Sequence, residues 1–159
     1  MSLKSFLNRI LDHIKSLFNT IPNEIATALK IGISVTENIK NFVNSPAADV
    51  LTAIIPGDLD NTIKEKLQLS IPVILTELKL IESSLKLTKP NDIASAAIET
   101  ITAMDKNIRC GVLHQLSILI TQKVADGKLS WSDGVYLSQW YYEHNFKLPI
   151  RISFSKLLF

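Results

Sequence analysis

The chain has 159 residues, of which 47% are hydrophobic while only five are Gly and six Pro, and its formal charge at neutral pH is +2. That length buries one substantial core and leaves little room for two domains, and the aliphatic bulk with so few turn formers favours helices over a loop-rich or β-sandwich chain. A single cysteine excludes an intramolecular disulfide framework and a cysteine-based zinc site, which fits a reducing compartment.

Leu3, Phe6, Leu7, Ile10, Leu11, Ile14, Leu17 and Phe18 recur at three-and-four spacing and predict a first amphipathic helix. Pro22 closes it, and a second helix is expected from about Asn23 through Ile25, Leu29, Ile33 and Ile39 to Phe42 and Val43. Asn44-Ser45-Pro46 ends that helix and places Pro46 in the first turn of a short one reaching about Ile54. Pro56-Gly57-Asp58 marks a turn, with Asp58 expected to cap a helix through Ile63, Leu67 and Ile71. Pro72 should kink or split it, after which Ile74, Leu78 and Ile81 carry the period to about Leu87.

Lys89-Pro90-Asn91 marks the next boundary, and Asn91 or Asp92 is positioned to cap a helix whose Ala94, Ala96, Ala97 and Ala103 permit close approach of a neighbour. From Met104 to Ala125 the residues Ile108, Val112, Leu116, Leu119, Ile120 and Val124 trace a buried face, with Gly111 as its weak point. Asp126-Gly127 stops that helix, and Ser130 or Ser132 starts a last one through Tyr136, Leu137, Trp140 and Tyr141. The segment Pro149 to Ser155 alternates apolar and polar residues with strand period. A lone strand is unstable in water, so it must lie on its own domain, pair with a strand of another chain or stay unfolded. The reading is an all-α fold, an irregular bundle of about six or seven helices over residues 1–145, with an extended C-terminal arm over 146–159.

Charge is unevenly spread: residues 1–44 carry +2, residues 45–105 carry −4 and residues 106–159 carry +4. This suits a molecule that meets neighbours of opposite sign, and ordinary solvated helix faces would give it too. No run of about 18 residues is free of charged or strongly polar groups, so no transmembrane span is expected. Arg9, Asp12, His13 and Lys15 interrupt the N-terminal apolar run and no small-residue cleavage site follows, so export by a signal peptide is not expected either.

Chemistry-bearing motifs are sparse. Cys110 and His114 sit four apart and would share a helix face as a thiolate and its base must, but Leu113 and Ser117 beside them offer no charge to orient the imidazole. The histidines His13, His114 and His144 lie far apart and form no metal cluster. Asp126 to Asp133 has the turn glycine and late carboxylate of a calcium loop, yet Gln122 and Val124 stand where the early oxygen ligands belong. Asp58 and Asp60 read as helix-start charges. With no phosphate loop, nucleophile elbow or histidine relay, neither catalysis nor a cofactor or metal is expected.

Two features suit binding. Trp131, Trp140, Tyr141, Tyr142 and Phe146 concentrate aromatic rings beside Lys147, Arg151 and Lys156, a composition shared by interface hot spots and single-strand nucleic-acid platforms. The alternative is a helix-end core followed by an exposed tail. The first helix sets Phe6, Leu7, Leu11 and Phe18 opposite Lys4, Arg9 and Lys15, as an in-plane membrane helix does, and as any core-packed amphipathic helix also does.

Two stretches, Val43-Asn44-Ser45-Pro46-Ala47-Ala48-Asp49-Val50-Leu51-Thr52 with Ile55-Pro56-Gly57, and Ala125-Asp126-Gly127-Lys128-Leu129-Ser130-Trp131-Ser132-Asp133, resemble segments of small helical proteins of Bacteroidetes and their bacteriophages. The resemblance spans about Asn41 to His144, brings no catalytic residues, and implies a phage or prophage product, a virion component foremost, located in the host cytoplasm or the virion. On this reading the partners are other protein subunits, a second copy of the chain included. Trp140, Tyr141, Phe146, Ile150, Arg151, Ile152 and Phe154 are the docking residues. A membrane-surface, holin-associated role through Phe6, Leu7, Leu11 and Phe18 is the alternative. Nucleic-acid binding ranks third, given the small net charge.

Overall fold

The computed structural model describes residues 23–81 and 85–145, and among them every regular element is a helix. There are six: α1 (Asn23–Phe42), α2 (Val50–Ile54), α3 (Asn61–Glu77), α4 (Pro90–Ala103), α5 (Lys106–Val124) and α6 (Trp131–Asn145). The first amphipathic segment and the alternating segment of the arm lie outside the described residues.

Helix α5 lies at the centre, packing on α1, α6, α3 and α4, while α2 bridges α1 to α4. The main core draws Ile31, Val35 and Ile39 from α1, Ile54 from α2, Leu67, Ile71 and Leu75 from α3, Ala97 and Ile101 from α4, and Leu116 and Ile120 from α5. Two smaller clusters serve the other sides of α1: Ile25 and Ala28 meet Ala125, and Leu29 and Ile33 meet Leu137 of α6. Helix α1 therefore buries far more than one stripe, as a helix enclosed by its neighbours must. Helix α5 is likewise enclosed, with Leu113, Ser117, Ile118 and Thr121 buried beside the expected Leu116 and Ile120. Ile108, assigned to that buried face by its period, is instead exposed near the N-terminus of α5.

The helix ends follow local chemistry, in several places not where the sequence pattern put them. Helix α2 starts at Val50, not Pro46, because Asp49 is its N-cap and accepts a 2.9 Å bond from the Thr52 hydroxyl. Asp60, not Asp58, caps α3 by accepting the Thr62 amide at 2.8 Å. Helix α3 then runs unbroken through Pro72, which is itself buried with Ile71, Ile74 and Leu75. An interior proline costs about 3 kcal/mol, and burial of these neighbours offsets it.

Helix α3 ends at Glu77 and does not continue to Leu87. Lys79 takes the left-handed conformation at φ 55°, its amide bonds to Thr76 O at 2.9 Å, and the Leu80 amide reaches back to Leu75 O. This is a Schellman ending with the buried Leu80 as its apolar anchor. Helix α5 closes the same way at Asp126 and Gly127, with the Gly127 amide on Gln122 O at 2.9 Å. Helix α4 begins with Pro90 after Lys89 and has no side-chain cap. Asn91, expected to cap it, instead donates to Asp49 Oδ1 at 2.9 Å, and the guanidinium of Arg109 donates to Thr102 O and Met104 O at its far end. Asp105 caps α5 through the amides of Asn107 and Ile108, and Ser130 caps α6 by accepting the Asp133 amide at 3.2 Å. No helix among the described residues is long and apolar enough to cross a membrane.

Candidate functional site

Two surfaces gather the side chains able to meet a partner or ligand. The first is the outer side of α6. Its inward side is short: Gly134 lets it approach α5, where an added Cβ would lie 3.2 Å from Ile118 Cγ2, and Leu137 fills the gap to Leu29 and Ile33. Its outward side carries two aromatic rings in water, Trp131 at 49% and Tyr136 at 55% exposure. Trp140 and Tyr141 fall within α6. Phe146, Ile150, Arg151, Ile152 and Phe154 lie outside the described residues, as do Phe6, Leu7, Leu11 and Phe18.

The second surface is a cleft of about 340 Å³ between α1 and α5, with Gln139 of α6 at one side. Helices α1 and α5 run antiparallel. They are in close contact at Gly32, where an added Cβ would stand 2.2 Å from Thr121 Oγ1 and 2.8 Å from Ser117 O. Toward the C-terminus of α1 and the N-terminus of α5, Thr36, Glu37 and Lys40 of α1 and Cys110, Gly111, His114 and Ser117 of α5 line the opening. Ile33 and Leu113 supply apolar lining.

Within the cleft the polar atoms divide into satisfied and unsatisfied. Thr36 donates to Gly32 O at 3.0 Å, and Lys40 pairs with Glu37 at 3.6 Å. Ser117 Oγ and His114 Nε2 are buried from solvent with no hydrogen-bond partner among the described residues. Burial of the His114 ring holds its pKa below the ordinary 6.5, so the imidazole is neutral at pH 7. A neutral ring offers a nitrogen for hydrogen bonding in place of a positive charge. Cys110 is an exposed free thiol on the same side of α5. The sequence correctly put Cys110 and His114 on one face, but it missed Glu37 and Lys40, which arrive from a helix about seventy residues away. Spacing along one helix carries no signal for such a neighbour.

Asp126, the turn carboxylate of the calcium-loop pattern, is ion-paired with Lys66 of α3. That cation, with a lesser contribution from Lys128, holds its carboxyl below the usual range. Comparison with known protein families, curated proteins and solved structures finds no match to this chain.

Proposed function

We propose that the chain is a non-catalytic structural or interaction protein that docks on neighbouring subunits through α6 and the residues that follow it. Its neighbours are other parts of a bacteriophage virion or assembly, a second copy of the chain among them. The observation that carries this reading is the outer side of α6, where Trp131 and Tyr136 stand half exposed on the helix that leads into the aromatic and basic stretch beyond it. Large aromatic side chains left in water are the usual anchors of a protein interface, because each removes a large apolar area on docking at low entropic cost. The resemblance to Bacteroidetes phage proteins directs the reading to a virion component, and the opposite net charges of residues 106–159 and 45–105 suit contact with neighbours of opposite sign.

The test is light scattering on a size-exclusion column over a hundredfold dilution, applied to the intact chain, to a chain truncated after Asn145, and to the double variant Trp131→Ser with Tyr136→Ser. The intact chain is expected to give a concentration-dependent oligomer, and both altered chains to remain folded monomers. An unfolded truncation product would put the arm in the core and defeat the proposal. Flotation of the intact chain with anionic vesicles, lost on Phe6→Ser, would replace it with the membrane-surface role.

A further inference from the structure

Of the glycines in the helices, two sit tightly against a neighbouring helix. Gly32 has Thr121 Oγ1 and Ser117 O where its Cβ would be, and Gly134 has Ile118. Gly111, five residues into α5, has nothing within 4 Å of that position and no left-handed φ. A helix-interior glycine lowers helix stability, so its presence here calls for a reason other than contact with a neighbouring chain segment. Gly111 lines the cleft between α1 and α5, and any larger residue would narrow it.

The cleft has the other features of a small-molecule site. Its volume of about 340 Å³ is roughly twice the ~150 Å³ that houses a benzene ring in an engineered protein cavity. Most of its lining is apolar, with a few convergent polar atoms, the usual make-up of a pocket that orients its ligand. Ser117 is 4% exposed, its Oγ unpaired, although its neighbour Thr121 satisfies its own hydroxyl by donating to Ser117 O at 2.8 Å. One turn earlier, His114 Nε2 is also buried and unpaired. Buried polar atoms are nearly always paired, and two orphans three residues apart on one cleft wall mark the place where a ligand's polar group would sit.

The geometry points to the α1–α5 cleft as a binding site for a small neutral molecule with an apolar body of ring size and one hydroxyl head, the class of which an alkylphenol is the simplest member. A hydroxyl is the smallest uncharged organic group that can donate to a bare His114 Nε2 and accept from Ser117 Oγ. The uncharged head follows from the balance of charge in the lining, where Lys40 and Glu37 are paired with each other. Ile33 and Leu113 pack on the apolar body, and Gly111 leaves room for it. This inference does not depend on the docking role of α6.

The experiment titrates the full chain with 4-ethylphenol and, in parallel, with ethylbenzene. It follows the imidazole signals by NMR, assigning His114 by its loss in His114→Gln, and measures affinity by calorimetry. Expected are a saturable shift of the His114 signal with 4-ethylphenol and at least about tenfold weaker binding of ethylbenzene, which leaves both buried polar atoms unpaired. Gly111→Leu should abolish binding without lowering the melting temperature, and Ser117→Ala should bring the two ligands to within about threefold of each other. No saturable shift of His114, equal affinity for the two ligands in the unaltered chain, or undiminished binding by Gly111→Leu would each overturn the assignment.

Discussion

The two ends of the α1–α5 pair are built on opposite principles. At Gly32 the helices meet so closely that Ser117 O and Thr121 lie within van der Waals reach of a bare Cα, and the buried hydroxyls of Thr36 and Thr121 are satisfied by the carbonyls four residues earlier. Toward Lys40 and Cys110 a cleft lies between the same helices, a glycine faces empty space, and polar atoms are left unpaired among the described residues. One end is what cohesion requires. The other is cohesion given up at a defined place, and in a folded chain that is where ligand or partner contacts are to be sought.

The contrast can be broken or sharpened by substitution. Ile120→Ala, at a fully buried position of α5 in the main core, should cost the most, about 3–4 kcal/mol in urea denaturation, because it removes a branched side chain from a site with little freedom to collapse. Gly32→Ala should cost about 2–3 kcal/mol, since the atoms it strikes include a backbone carbonyl that cannot rotate away. Gly111→Ala, the same change about two to three helical turns off on the partner helix, should have the opposite sign and stabilise by up to about 1 kcal/mol. If both glycine variants destabilise alike, the open and closed ends are not distinct. Asp105→Ala, which removes the cap of α5 beside the open end, should cost about 1 kcal/mol.

A pH effect isolates His114. Its folded pKa is depressed, so below about 6.5 the unfolded chain takes up a proton that the folded chain resists, and stability falls as pH drops from there toward the folded pKa. His114→Gln should flatten that part of the profile. A second loss, below the ordinary carboxylate range, is shared by Asp49, bonded by Thr52 and Asn91, and Asp126, ion-paired with Lys66; both carboxyls are held low, so their contributions are present above about pH 4 and lost on acidification, and Asp126→Asn should reduce that loss.

Much of the fold was legible because its signals are local. Proline and asparagine around residues 44–46 ended α1, Asp126-Gly127 ended α5, and the recurrence of Ile25, Leu29, Ile33 and Ile39 marked a helix that does bury all four. Misreadings arose where a tertiary contact outweighed a local rule. Pro72 did not interrupt α3, because its neighbours are anchored in the core on both sides of it. Lys79 ended α3 in a conformation that its side chain does not advertise, and the anchor responsible is Leu80, a residue that also fits a continued helix. Asn91 was drawn from its capping role by Asp49, forty-two residues away. The cleft was the least legible element of all, since its walls come from helices far apart in the chain and its polar orphans are defined only by what fails to reach them.

The pairing of α1 with α5 also has a temporal side. Gly32 and the Thr121 it is shaped to receive are about ninety residues apart, and during synthesis at roughly 5–20 residues per second the first is made on the order of ten seconds before the second. For that interval Ile25, Leu29 and Ile33 lack the cover that the described residues give them, because the surfaces that bury them, Ala125 and Leu137, come later still. The nascent chain is therefore most exposed to misassociation at its earliest described helix, and a chaperone or an assembling neighbour that shelters α1 would act on yield without altering the finished fold.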